Sequence, residues 1–281
     1  MGRTLEVAEI NEKRIVLRTG GFSVAFINAL RRLALSDVPT MAVDFVYIYD
    51  NTSPVYDEMV AHRLGLLVLK SDEVLGKYRP PEDCAGKEPS EVEGCYTTIR
   101  LEASTGERES RYVTAKELDI EDPDLEPAYP ETPILYLGPS QNISLIAYAR
   151  LGRGREHSKW SPASISALRY TPIVEYDSSK ASEECLKCLE HYPQVREALS
   201  RGGKGALVLE GVKRTSALKY CAETACEGAL IVRYDSNRLE LEVESTGALK
   251  PERIILEASR ILDEKVKRFA EAVSSAGVEE V

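Results

Sequence analysis

The N-terminal part of the chain combines an alternating pattern with a helical one. Apolar residues flank a polar turn at residues 11–13, and this pattern predicts a β-hairpin over residues 5–19. Ser23 is placed as the N-cap of a helix. Apolar positions then recur every three or four residues until Pro39, where a proline prevents the helix from continuing. We expect a hairpin followed by one amphipathic helix.

The middle of the chain alternates strand-like and loop-like segments. Residues 41–49, 96–103 and 143–150 are rich in β-branched, aromatic and other apolar residues, and they predict strands. Residues 57–69 predict a short helix, and four prolines among acidic residues at 119–133 predict a loop.

A second hairpin is predicted towards the C-terminus. Its strands are residues 229–234 and 239–244, with the turn at Ser236-Asn237. In the second strand leucine and valine alternate with glutamate, and this alternation predicts one buried face and one acidic face.

The final helix begins at Pro251, because proline is favoured at the first helical position. Its apolar residues keep helical spacing for about six turns; they are Ile255, Ala258, Leu262, Val266, Phe269 and Val273. The helix could lie on its own sheet, or its apolar stripe could pack against a helix of a partner. The pattern alone does not choose between these interpretations.

Composition and charge narrow the classes of function. A chain of 281 residues exceeds one usual domain, so two or three compact units are expected. The formal charge of −10 argues against broad binding to nucleic acid, which depends on Lys and Arg. No apolar run is long enough to span a bilayer, and the N-terminus lacks a secretory signal, so we expect a cytoplasmic protein without membrane contact.

Sequence motifs of catalysis are absent. There is no GxxxxGK[ST] phosphate loop, no glycine-rich dinucleotide turn and no HExxH pair. Asp119, Asp122 and Asp124 form an acidic group, but they lie among prolines in the predicted loop. We therefore expect no catalytic residue in this chain.

A basic run with a tryptophan inside it is a candidate contact surface. It contains Arg150, Arg153, Arg155, Lys159, Arg169 and Trp160. Such a run fits contact either with nucleic acid or with another protein. The negative net charge of the chain favours protein contact.

Four of the six cysteines lie in residues 180–228, in a segment that resembles a degenerate ferredoxin motif. Cys185 and Cys188 have the C-x2-C spacing, His191 stands at the third ligand position, and Cys226 resembles the end of a second motif. The resemblance implies that these four residues hold a 3Fe–4S or 4Fe–4S cluster, or zinc, since thiolates bind both well. Because neither motif is complete, reduced thiols or disulfides in a cluster-free domain are the alternative.

Four blocks together resemble one protein family. They are residues 26–42, residues 51–67, residues 152–162 and residues 247–252. In this order they are similar to the family of the archaeal RNA polymerase D-type subunits, which includes the eukaryotic third-largest subunit and the bacterial alpha N-terminal domain. The resemblance covers nearly the whole chain.

The resemblance implies an α+β fold of three parts. Residues 1–40 and 228–281 would form an alpha-subunit-like dimerisation domain. Residues 41–170 would be an inserted mixed α/β domain, and residues 171–227 a ferredoxin-like insertion that bears cysteines. The predicted first and last helices supply the surface that such a dimerisation domain needs.

The resemblance also implies a role as a non-catalytic assembly scaffold of the polymerase, a nucleotidyltransferase. The chain would pair with subunit L as a heterodimer and contact subunits N and P and the two large catalytic subunits, without specific DNA contact. The implied interface residues are Phe26, Leu30, Arg31, Arg32, Leu33, Ile255, Leu262, Val266 and Phe269. On pattern alone the two arginines would simply be solvated. A ferredoxin-like iron–sulfur redox protein is the rival function, and it requires complete ligand sets.

Cys84 and Cys95 lie where some relatives in this family carry a four-cysteine zinc loop. Two cysteines are too few for a tetrahedral zinc site. They are expected to form a disulfide or to remain free thiols.

Overall fold

The computed structural model describes residues 2–212 and 215–276. The chain forms two compact units, each assembled from separate stretches of sequence. The first unit is Met1–Ala8, Val16–Asn28 and Ala167–Glu242, and the second is Glu9–Ile15, Ala29–Ser166 and Val243–Val281.

A five-stranded sheet takes strands from the N-terminal and C-terminal parts of the chain. Its order is β1 (Thr4–Ile10), β2 (Arg14–Gly20), β11 (Leu230–Ser245), β9 (Ala163–Asp177) and β10 (Lys204–Val208). Asn11 closes the turn between β1 and β2, because its Oδ1 accepts from the backbone N–H groups of Lys13 and Arg14. The predicted N-terminal hairpin is confirmed.

Helix α1 (Val24–Ser36) begins and ends where the sequence predicts. The Ser23 hydroxyl accepts a hydrogen bond from the backbone N–H of Phe26 at 3.2 Å and so caps the first turn. At the other end, the backbone N–H of Asp37 donates to the carbonyl of Leu33 at 3.0 Å.

A four-stranded antiparallel sheet organises the largest core, which lies within the second unit. Its order is β3 (Pro39–Asn51), β8 (Asn142–Arg153), β4 (Tyr96–Ser104) and β6 (Asp119–Ile120). Ile99 and Leu101 lie on one face of β4 and are fully buried. The same unit contains α2 (Asp57–Gly65), α3 (Pro81–Cys84) and a small sheet of β5 (Arg111–Thr114) and β7 (Pro133–Leu137).

The cysteine-bearing segment folds around its own small core in the first unit. Its elements are α4 (Glu183–Cys188), α5 (Pro193–Arg201), β10 and α6 (Thr215–Glu223). Leu189, Val195 and Leu218 are fully buried in that core.

The predicted second hairpin is wrong, because residues 230–245 form the single strand β11. A tight two-residue turn needs a positive φ, and neither Ser236 nor Asn237 has one. The expected acidic face is also buried: Glu240 is 8% exposed and Glu242 is 2% exposed. Arg169 approaches both carboxylates, at 3.7 Å and 2.5 Å, so these glutamates are paired instead of solvated.

The last described element is α7 (Pro251–Ser275), which starts at the predicted proline. The antiparallel sheets and helices confirm the α+β class. The predicted three-domain boundaries and the ferredoxin-like character of residues 171–227 stay predictions.

Candidate interaction surface

Helix α7 has an inner side that packs within the fold of the chain. Successive residues of an α-helix are rotated by about 100°, so Ile254, Ala258 and Ile261 lie on one side. Ile254 and Ala258 are fully buried, and Ile261 is half-buried.

A second apolar face of α7 is turned by about 80° from the first. We call it the outer face; it consists of Ile255, Leu262, Val266, Phe269 and Val273. Phe269 is 72% exposed and Val266 is 58% exposed, whereas the other three are half-buried. Large apolar side chains left uncovered along one side of a helix are typical of an interaction surface.

Helix α1 places its predicted apolar interface residues both inside and outside the fold. Leu30 and Leu33 are each only 7% exposed, so the chain itself buries them. Phe26 is exposed and stacks on Phe22, with their ring centroids 5.6 Å apart. Of these three predicted residues, Phe26 is the one that a partner can reach.

The two arginines of α1 also differ in surroundings. Arg31 is half-buried, and its Nη1 donates to the carbonyl of Ser166 at 3.3 Å. Arg32 is exposed. Arg32 is therefore the more accessible of the pair.

Asp37 joins the end of α1 to α7 and to the segment after β8. Its carboxylate accepts from Lys265 Nζ and from the Ser36 hydroxyl, each at 2.5 Å, and lies 3.5 Å from Arg155 Nη1. Burial would raise the pKa of Asp37. The two hydrogen bonds and the charges of Lys265 and Arg155 outweigh it and hold the pKa below its ordinary value.

The centre of the basic run is a buried, neutralised cluster. The guanidinium of Arg150 and the ammonium of Lys159 lie 4.3 Å and 4.1 Å from the ring centroid of Trp160. Asp44 accepts from Arg150 Nε at 2.7 Å and from Lys159 Nζ at 2.9 Å. Burial opposes ionisation, but these bonds and charges lower the pKa of Asp44.

The remaining cations of the basic run are paired as well. Glu82 accepts from Arg153 at 2.9 Å and from Arg155 at 3.2 Å. In the first unit, Arg169 donates to Glu242 at 2.5 Å. Every cation of the run therefore already has a carboxylate partner within the chain.

The three cysteines of the predicted cluster site all form disulfides. Cys185 pairs with Cys226, and Cys188 pairs with Cys221, the cysteine that lay outside the predicted set. A sulfur in a disulfide is not a thiolate ligand, so this donor set does not fit an iron–sulfur cluster or zinc. His191 is exposed, and the described residues contain no group of three or more side chains that could hold a metal ion.

The remaining cysteines, Cys84 and Cys95, are joined by a third disulfide in the second unit. Both cysteines are fully buried, and their Cα atoms lie 5.6 Å apart. Cys84 ends helix α3, which also carries Glu82, one of the partners of the basic run.

Four charged residues that the sequence did not single out organise this part of the fold. They are Asp37, Asp44, Glu82 and Lys265. Two signals were available: an acid at the end of an apolar helix, and a lysine in line with the buried side of α7. Neither signal identifies its partner, because the partners are distant in sequence.

Comparison with known proteins places most of the chain in one family. Residues 17–266 match the RNA polymerase Rpb3/Rpb11 dimerisation domain. DNA-directed RNA polymerase subunit Rpo3 of Aeropyrum pernix is 65% identical over 99% of this chain and 98% of its own length. Rpo3 of Methanothermobacter thermautotrophicus is 32% identical over 94% and 96% of the two chains.

A eukaryotic relative extends the comparison. DNA-directed RNA polymerase II subunit rpb3 of Dictyostelium discoideum is 30% identical, over 93% of this chain and 92% of its own length. Among the helices that the structure describes, none has the length and apolar character needed to cross a membrane. The chain belongs to the RNA polymerase Rpb3/Rpb11 dimerisation-domain family.

Proposed function

We propose that this chain is a non-catalytic assembly-platform subunit of an archaeal DNA-directed RNA polymerase, and that its α7 outer face binds the smaller subunit L. The Rpo3 names of the relatives support the first part. The exposure of Phe269 and Val266 supports the second, and it carries the proposal. Because α7 already packs within the fold through its inner side, its second apolar face is left for contact with another chain.

The energetics favour a permanent partner. Burying an exposed side chain the size of Val or Phe contributes about 1.5–3 kcal/mol. Since Val266 and Phe269 are each more than half exposed, covering these two alone would stabilise a complex by roughly 2–4 kcal/mol. The half-buried residues Ile255, Leu262 and Val273 add to this, as in obligate interfaces that resemble a core cut in half.

Co-expression with the subunit L of the same organism tests the proposal. The wild-type chain should be recovered as a 1:1 complex. Phe269→Asp should abolish co-purification, because a carboxylate would be buried without a partner. Leu256→Asp is the matched control: Leu256 is 56% exposed on the same helix, but it lies away from the outer face.

Three results are informative. Loss of the complex with Phe269→Asp but not with Leu256→Asp supports the proposal. Equal effects of both changes would contradict the assignment of the outer face. A wild-type chain that stays a monodisperse monomer in the presence of subunit L would contradict the scaffold function itself.

The wider set of partners is proposed on the resemblance. Subunits N and P and the two large catalytic subunits would contact surfaces outside α7, including the exposed Arg32 of α1. The chain would carry no active-site residue and no specific DNA contact, and it would work in the cytoplasm as part of the whole nucleotidyltransferase. The paired cations of the basic run support contact with protein in this setting.

A further inference from the structure

The second half of α7 has almost no core beneath it. Residues 263–276 are all exposed except Val273, which is half-buried. This part of the helix nevertheless carries Val266 and Phe269, the two most exposed residues of the outer face. Helices without tertiary packing are marginally stable in water, so something else must hold this half in place.

One ion pair connects it to the rest of the second unit. Lys265 Nζ lies 2.5 Å from Asp37 Oδ1. Among the described side chains of residues 263–276, Lys265 is the one whose hydrogen bond or ion pair leaves the helix. The neighbouring pair, Asp263 with Lys267 at 2.7 Å, stays within α7 and does not tie it to anything.

Asp37 is suited to be the fixed end of this contact. Its side chain is 9% exposed, and its own backbone is bonded into the end of α1. The Ser36 hydroxyl donates to its carboxylate, Arg155 lies beside it, and the guanidinium of Arg153 donates to its backbone carbonyl. The carboxylate is thus oriented by groups other than Lys265.

The position of Lys265 around the helix axis determines which side of α7 the ion pair holds. Eleven residues after Ile254, at about 100° per residue, Lys265 lies on the same inner side as Ile254 and Ala258. An anchor on this side keeps Val266 and Phe269 turned outward.

We propose that Asp37 is a positioning residue for partner binding: through Lys265 it fixes the direction and rotation of the exposed half of α7. This inference rests on the proposed function, because it assigns to the ion pair the task of presenting the outer face to subunit L. Neither residue needs to touch the partner. Their role is to reduce the conformational freedom that the helix would otherwise lose on binding.

The test combines hydrogen exchange on the full chain with affinity for purified subunit L. Lys265→Met keeps the length of the side chain and removes its charge, and because Lys265 is half exposed the core stays intact. Amide exchange over residues 263–276 should become about tenfold faster and affinity should fall about tenfold, the effect of losing one charged hydrogen bond. Lys265→Arg keeps the positive charge, so it should retain most of the wild-type protection from exchange and most of the affinity.

Lys267→Met is the control, since it removes a lysine whose carboxylate partner lies on the same helix. It should change exchange by no more than about twofold and leave affinity unchanged. Asp37→Asn should reproduce the effect of Lys265→Met. Unchanged exchange in Lys265→Met would overturn the inference, and so would faster exchange with unchanged affinity.

These outcomes are separable from those for the proposed function. If wild-type chain fails to bind subunit L while Lys265→Met still loosens residues 263–276, the partner assignment is wrong and the anchoring of the helix is right. If Phe269→Asp abolishes binding while Lys265→Met has no effect on either readout, the partner surface is right and the positioning role of Asp37 is wrong.

Discussion

Replacing Asp44 with alanine should destabilise the second unit more than a typical surface change. Asp44 is the carboxylate shared by Arg150 and Lys159, whose side chains are only 5% and 14% exposed. Arg150 keeps a second carboxylate, Glu156, at 3.2 Å. Lys159 keeps only the carbonyl of Val43, at 2.9 Å, and the face of the Trp160 ring.

The expected loss in the free energy of unfolding follows from the buried cation that would be left without a carboxylate partner. With Asp44 the cluster contains two cations and two carboxylates; without it, one carboxylate serves two buried cations. Removing one partner of a buried ion pair costs about 3–5 kcal/mol. Because Glu156 still compensates Arg150, we expect a value near the lower end, about 3 kcal/mol.

Urea unfolding followed by the fluorescence of Trp160 measures this directly, since it is the single tryptophan of the chain and lies inside the cluster. Asp263→Ala is the control, because it breaks an exposed pair and should cost less than about 1 kcal/mol. Equal costs for the two variants would refute the reasoning.

Acid pH supplies a second readout for the same variant. The pKa of Asp44 is lowered in the folded state. The stability from this group is therefore complete above the ordinary value of 3.8 and is lost as the pH falls through the lowered pKa. The difference between wild type and Asp44→Ala should be constant from neutral pH to about 5 and should narrow only below about 4.

Three further experiments test other parts of the structure. Gly152→Ala would place a Cβ 2.2 Å from the Trp160 ring and should cost about 3 kcal/mol in urea unfolding, whereas Gly76→Ala meets no atom within 4 Å and should be neutral. Changing both Cys84 and Cys95 to serine removes a disulfide between residues 11 apart and should lower the free energy of unfolding by about 3 kcal/mol. Reduction of that disulfide in the wild-type chain should have the same effect. Anaerobically purified, denatured chain should label no thiol until reduced and should contain no stoichiometric iron or zinc; four reactive thiols with bound metal would contradict the disulfide pairing of the cysteine-bearing segment.

Local patterns in the sequence predicted the elements whose causes are local. The first hairpin, the cap at Ser23, the strand β4 and the start of α7 at Pro251 each depend on residues a few positions apart. The strand β11 was misjudged for the opposite reason. Its glutamates look solvated when only the alternation is considered, and they are buried because Arg169, some seventy positions away, pairs with them.

The candidate surface shows the same division between local and distant causes. The sequence predicted an apolar stripe on α7 but treated it as one face, so Ala258, which is buried, was grouped with Val266 and Phe269, which are exposed. The two faces differ in burial, and the inner one also carries Lys265, a charged residue that a count of apolar positions omits. Its partner Asp37 lies 228 residues earlier and stands at the end of the other predicted interface helix. Such a pair links the two helices that the family resemblance implies for dimerisation. Under the positioning role proposed for Asp37, a surface on one helix would depend on a residue that follows the other.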